Sequence, residues 1–472
     1  MDSKALRDWI AGEMAWFDVQ GAAVAIVEPS GETALSFGVR RFGEDGGVNP
    51  DTGFSLASCS KAFTAYGVAI LVDQGKIAFD DPVQKYIPEF ALDTEEPSAA
   101  ATVRDLLAMR LGLKPQGACH WATSRSLSPV AIFRRFQYLP RIAPFREAFV
   151  YLNPAYLALS VIIERVSGAP FAEFMNRELF APLGMANTFI DEGAVTDRKN
   201  VAIPHVKLAS GVTALASPHC AGRQGESCQY ISASDYIPWL NLNLDGLLPN
   251  GGRLVSEAVQ AEFLTIQTPV PHPAGDAGYC MGWMRGTIEG RKLFSHEGGE
   301  LGASTFAIIC PDEDIGVAVL ASRRVPTFVR SLAYGLRDRL LGGPTPDRRS
   351  EFLEVERMER EGALAQREAD FPLEPGKAAP SADSITGVYR SPHTGLLRLT
   401  GEAGLVRARF EDVNLSDCRL EPLGGEIFGV VEFDEPAMNQ EVQGQARMRI
   451  VPQGAIAGRV DTPGMGSFER LE

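Results

Sequence analysis

β-rich runs stand near both ends of the first 340 residues, with a long helical stretch between them. Residues 21–40 read "GAAVAIVEP" and "TALSFGVRR", two strand-like runs joined at Ser30-Gly31, which predicts a hairpin. From about residue 278 the runs "RKLFSHEG", "ASTFAIICP" and "IGVAVLASR" follow, the last two separated by "DEDIG", and predict an antiparallel meander. Residues 81–260 alternate helical patterns with Pro/Gly loops. One helix there is sharply marked: Asn153 as cap, Pro154 at its first position, "AYLALSVIIERVS" as body and Gly168 as terminator. A sheet supplied from both ends must be interrupted by a helical insertion, so residues 1–343 are expected to form one α/β (α+β) domain.

Beyond it the texture changes twice. Residues 344–380 are charge-laced ("RRSEFLEVERMEREGALAQREAD") and then Pro-rich ("PLEPGKAAPSAD"), which predicts a solvated helix and a linker. Residues 381–472 carry short alternating runs such as "GLLRLTGEAGLVRARFE", predicting a small all-β barrel or sandwich.

Charge and cysteines narrow the setting. The 472 residues have a formal net charge of -15, which argues against a nucleic-acid or anionic-membrane partner. The amino terminus "MDSKALRDWIAGEMAWF" lacks the apolar core of a secretory signal, and the longest apolar runs are too short to span a bilayer. Seven scattered cysteines without a CxxC pair fit neither a disulfide framework nor a zinc ribbon. A cytoplasmic protein with no membrane partner is expected.

The chemistry starts at "FSLASCSKAFTA" (Phe54 to Ala65). If Ser58 opens a helix, Lys61 lies on the same face one turn on, where an amine can accept or relay the hydroxyl proton. Cys59 points about 100 degrees away around such a helix, and no histidine partner is near it in sequence; packing is the plainer role for it and for Ser60. In "YLNP", Tyr151 can act as a general base if a lysine ammonium lowers its pKa. Asn153 offers a carboxamide to the lysine and to a substrate carbonyl, although it can equally serve as a helix cap. In "SHEGGELG", His296 at a strand end can face a cleft, and the glycines let a backbone amide approach a ligand. No second histidine follows at metal-binding spacing, so neither metal nor cofactor is expected.

The ordered set S-x-x-K, Y-x-N, H-x-G, with its flanks "TVRDLLAMRLGL" and "AYLALSVIIERVSGAPFAEFMNRELFAPLGMANT", resembles the serine β-lactamase-like superfamily over about residues 5–340. That superfamily includes class C β-lactamases, D-alanyl-D-alanine carboxypeptidases, D-aminopeptidases and esterases. The resemblance implies a transpeptidase-like antiparallel sheet flanked by helices, with a helical subdomain forming a cleft. It also implies Ser58 as acylated nucleophile, Lys61 as its proton partner, Tyr151 as general base and Asn153 as substrate-positioning amide. His296 takes the place of the lysine in the K-T-G of β-lactamases, and the N–H groups of Ser58 and Gly299 would form the oxyanion hole.

Two departures shape the functional expectation. A neutral imidazole at 296 anchors a carboxylate less well than an ammonium, which discounts lactam hydrolysis. "HCAGRQGESCQYISASD" departs from the family's glycine-rich version, and Arg223 within it is a candidate for meeting an anionic group. Residues 381–472 resemble the lipocalin-like barrel appended to some of these hydrolases, with His393 in "SPHTG" as a candidate for a loop reaching the site. The expected activity is hydrolysis of an ester or amide of a small molecule or short, D-amino-acid-containing peptide. Acyl transfer or peptide cyclisation on the same acyl-enzyme, and a non-catalytic binding protein on the same fold, are the alternatives.

Overall fold

The computed structural model describes residues 3–471 except 116–126, 192–194, 196–197, 209, 216–223, 272–275, 344, 403–404, 413–416, 434–445, 454–455 and 463–464. Helix α1 (Ser3–Phe17) leads into β1 (Gly21–Glu28) and β2 (Gly31–Gly38), the expected hairpin, paired from Gly21↔Gly38 to Glu28↔Gly31. The sheet resumes with β3 (Thr268–Pro269), β4 (Gly278–Tyr279), β5 (Met284–Ile288), β6 (Arg291–Glu300), β7 (Ala303–Cys310) and β8 (Ile315–Ala321). All eight strands form one antiparallel sheet in the order β2-β1-β8-β7-β6-β5-β4-β3. The strands from the two ends of this first domain therefore meet where β1 pairs with β8, second and third in the sheet.

The period-two alternation of the central strands sorts two cores. Val24, Ile26, Ile308, Val317 and Val319 face α1 and α5 (Pro326–Leu340) on one side. Ala23, Ala25, Ala307 and Ala318 face the other side, towards α2 (Ser60–Asp73), α3 (Asn153–Ser167) and α4 (Ala233–Asp245). Small side chains on that face let α4 approach closely. One row across the sheet runs Ala25–Ala318–Ala307 and ends at His296, so His296 faces α2 as well.

Two local expectations change. Helix α3 begins at Asn153 itself, with Leu152 as its N-cap residue and no side-chain cap; Gly168 ends it at φ 70, as expected. Strand β6 also runs two residues beyond Gly298, to Glu300, because β7 continues to pair with it as far as Glu300↔Ala303. His296 is therefore inside a strand rather than at its end.

The charged helix α6 (Arg348–Asp370) carries no buried residue in any of its turns. The last element is a closed barrel of eight strands, β9 (Gly387–Ser391), β10 (Gly395–Glu402), β11 (Leu405–Phe410), β12 (Cys418–Gly424), β13 (Ile427–Phe433), β14 (Arg447–Gln453), β15 (Ile456–Thr462) and β16 (Gly466–Arg470). Its interior is packed with Leu397, Leu420, Phe428, Ile450 and Phe468. Arg447 ties it to α6 with Nη1 and Nη2 each 2.8 Å from Glu368 and a bond to the Phe371 carbonyl. Arg135, from the helix Pro129–Arg135, donates to the His393 carbonyl at 2.7 Å. No single described helix is long and apolar enough to cross a membrane.

Candidate active site

Every residue from Thr52 to Leu71 is buried except Ser58. Ser58 sits in a single 3-10 turn, Ala57–Cys59, that leads into α2. Ala57 just before it has φ 45, a left-handed conformation that costs a non-glycine residue of order 1 kcal/mol. The i, i+3 spacing does what the sequence predicts: Lys61 Nζ lies 3.1 Å from Ser58 Oγ. Lys61 is 0 % exposed, and Nζ also donates to the Glu226 carbonyl at 2.8 Å.

Cys59 turns away from this face. Its thiol donates to the His296 carbonyl at 3.3 Å, and burial first, then the charge of Glu297, pushes its pKa well up, so it carries no thiolate. Ser60 is fully buried beside it. Both residues pack, as expected.

The Tyr151 segment is held by the loop after the short helix Val103–Leu107. Met109, at φ 52, offers its carbonyl to Val150 N–H at 2.8 Å. Asp105 receives Arg110 at 2.6 Å and Arg146 at 2.7 Å; burial alone would raise its pKa, but these guanidiniums outweigh burial and hold it below the usual carboxylate range. So "DLLAMRLGL" clamps the stretch that carries Tyr151 and Asn153. The buried Asn153 Oδ1 has no hydrogen-bond partner. It does not cap α3 and is available to a ligand.

Lys61 Nζ stands over the Tyr151 ring, 5.0 Å from the centre. Burial first, then Tyr279, raises the Tyr151 pKa well above the ordinary phenol value; the nearby Ser58 hydroxyl offsets only part of this. The phenol oxygen is buried and lacks a hydrogen-bond partner of good geometry. Burial thus favours the neutral phenol of Tyr151 in the resting site.

His296 is 5 % exposed. Its Nδ1 lies 2.7 Å from the Glu297 carbonyl, which can only accept, so Nδ1 carries the hydrogen and Nε2 is the acceptor. Tyr279 Oη is 3.3 Å from Nε2 and donates to it. Burial, then the Lys61 charge, lowers the His296 pKa to about 3. The imidazole is neutral and both its nitrogens face protein partners. Glu297 points the other way, where Arg330 Nε binds it at 2.6 Å.

Gly298 touches the nucleophile turn: a Cβ there would collide with the Leu56 carbonyl and stand 3.2 Å from Cys59 N. Only glycine permits this approach of β6 to Ser58. Strand β5 pairs with β6 only as far as Ser295↔Met284, which leaves the edge of residues 296–300 without a β5 partner, facing the cleft. Gly299 lies on that edge opposite Ser304, where the resemblance puts an oxyanion donor. Arg324 Cζ is 3.9 Å from the position of a Gly299 Cβ.

Ser58, Lys61, Tyr151 and His296 thus form one connected constellation, with Asn153 and Gly299 at its margins. Arg223 lies outside the described residues. His393 is buried, its nitrogens 3.2 Å from Ser391 Oγ and 3.0 Å from the Met465 carbonyl, so its side chain is spent inside the barrel. The sequence reading missed Tyr279, Glu226 and Met109. None of the three stands in a short motif, and a tyrosine before "CMGW" carries no signal of its own.

Comparison with known proteins follows the same lines. The family described as Beta-lactamase matches residues 6–341. An "Unguisins hydrolase ungD'" of Aspergillus campestris is 25% identical over 95% of this chain and 87% of its own length. "Penicillin-binding protein 4*" of Bacillus subtilis is 24% identical over 66% of this chain and 70% of its own. The octameric penicillin-binding protein homologue from Pyrococcus abyssi superposes with a TM-score of 0.65 at 22% identity, covering 99% of this chain and all of the other.

Proposed function

The chain belongs to the beta-lactamase family, and from that premise we propose that it is a serine hydrolase working through a covalent acyl-enzyme on Ser58, with an ester or amide of a small molecule or short peptide as substrate. One observation carries the reading. In a wholly buried segment the single accessible hydroxyl is the one with a buried amine 3.1 Å away.

The proposed steps follow from the geometry. Lys61 Nζ, once its ammonium has given a proton to solvent as substrate enters, takes the Ser58 proton as Oγ bonds to the substrate carbonyl carbon. The carbonyl oxygen becomes an oxyanion held by the Ser58 and Gly299 amides. The bond to the leaving nitrogen or oxygen breaks as Tyr151, a phenol at rest, donates its proton to that atom; Lys61 then returns a proton to Tyr151. Water enters by the reverse of these transfers and frees the acyl group. Asn153, with a buried and unsatisfied carbonyl oxygen, positions the substrate amide. His296, whose nitrogens are engaged by Glu297 and Tyr279, spaces the cleft rather than anchoring a carboxylate. That disfavours lactams, whose carboxylate a lysine would hold. The relative named a hydrolase supports the same reaction type.

Intact-mass spectrometry after exposure to an activated ester such as p-nitrophenyl butyrate tests the reading. One butyryl adduct per chain is expected, absent in Ser58→Ala. Failure of every acyl donor to modify Ser58 would falsify it.

A further inference from the structure

Beside the constellation lies a cavity of about 630 Å³. Phe149, Ile266, Val270 and Pro271 supply its apolar wall, and Glu147 and Asp276 are at its margin. We propose that this cavity is the leaving-group subsite, and that it takes a peptide segment with an apolar side chain and a neutral or cationic end, excluding a free carboxylate. The proposal rests on the serine hydrolase reading above.

Three observations carry it. The first is continuity. Phe149 is shared by the cavity and the site: its ring centre is 4.9 Å from that of Tyr279 and 6.3 Å from that of Tyr151. In the proposed reaction Tyr151 hands a proton to the departing atom, so the space walled by the Phe149 ring that packs on it is placed to receive the departing part. The second is size. Pockets that enclose a drug-sized ligand span roughly 300–1,000 Å³, so this one holds more than a single small amino acid.

The third is charge. Among the described residues Glu147 forms no ion pair, while Asp276 is 2.7 Å from Arg285 and neutralises it. The rim thus keeps a net negative charge in a chain that is already at -15. Of the other nearby cations, Arg110 and Arg146 share Asp105, Arg104 pairs with Asp80 and Glu262, and Arg324 stands by Gly299, further along β6. In register, the cavity's Pro269 aligns through Gly278 and Arg285 with Phe294, on the opposite side of His296 from Gly299. His296 offers the departing group no positive charge. A released amino acid with a free carboxylate would face Glu147 unpaired, whereas an internal amide bond leaves an uncharged continuation there. The subsite therefore selects internal amide cleavage over removal of a carboxyl-terminal residue.

A leaving-group subsite also receives an incoming amine, which gives a test independent of the natural acyl group. The full-length protein, acylated on Ser58 by p-nitrophenyl butyrate, is offered phenylalanyl-alaninamide or phenylalanyl-alanine, in D and L forms. Butyryl-peptide is quantified against butyrate. The amide is expected to capture the acyl group about tenfold better than the free acid, the discrimination that about 1.4 kcal/mol supplies. Glu147→Lys is expected to bring the two towards parity. Equal capture, preference for the acid, no capture by either amine, or a preference untouched by Glu147→Lys overturns the subsite. If the ester forms no Ser58 adduct, the hydrolase reading falls and the subsite with it.

Discussion

At the scale of single residues, the site is a competition between desolvation and pairing. Lys61 tolerates complete burial because a carbonyl and a hydroxyl accept its hydrogens, and His296 tolerates it by staying neutral. The second has a consequence for pH. An unfolded histidine titrates near 6.5 and His296 near 3, so below 6.5 the unfolded chain binds a proton that the folded chain refuses. Stability from this residue is therefore complete above pH 6.5 and declines as pH falls towards 3. Between pH 7 and pH 5 the loss is about 2 kcal/mol; it is expected in denaturant titrations of the protein and absent from the pH slope of His296→Gln, whatever the variant's absolute stability. Cys59→Ala is expected to keep most of the activity, since the thiol is protonated and bonded to the back of β6. A fall to the level of Ser58→Ala, measured as ester turnover, would reverse the choice of nucleophile.

At the scale of elements, the decisive contact is that of β6 with the turn at Ser58. Gly298→Ala puts a methyl against the Leu56 carbonyl, where backbone must give way. The expected result is destabilisation of about 1–3 kcal/mol together with a fall in kcat that exceeds any rise in KM, because the Ser58 and Gly299 amides proposed to hold the oxyanion part from the reacting carbon. Gly299→Ala, whose added methyl meets nothing nearer than Arg324 at 3.9 Å, is expected to fold normally. The loop that carries Met109 and the Asp105 clamp hold the Tyr151 stretch in the same way. Removing the Arg146 guanidinium (Arg146→Ala) frees the Tyr151 stretch without touching a reacting group, so steady-state kinetics are expected to show a weakened kcat with Ser58 still able to form its adduct.

At the scale of the whole molecule, the barrel is fixed to the rest by side chains reaching carbonyls and carboxylates. Arg447 is 6 % exposed and holds both Glu368 oxygens, and Arg135 caps the His393 turn. Arg447→Ala is expected to loosen α6 from the barrel, visible as faster protease cleavage between residues 371 and 386 while the butyryl adduct on Ser58 still forms. The hairpin, the meander, the barrel and the SxxK pair were legible in the sequence, because each is a local matter of period, turn residues or helical spacing. The assignment of Cys59 and Ser60 to packing was legible for the same reason, as a rotation around one helix. The protonation state of Tyr151 was not, since it depends on how much water the folded cleft excludes. Tyr279 was not either: its partner His296 stands on β6 with β5 between them, and only the register of the three strands (Tyr279↔Met284↔Ser295) brings the two within 3.3 Å. Motif spacing was enough to single out Ser58, Lys61, Tyr151, Asn153 and His296 as candidates and to order them along the chain. The neutrality of His296, the partners of its two nitrogens and the cavity behind Phe149 came only with the folded chain, because burial and long-range contact, not spacing, set them.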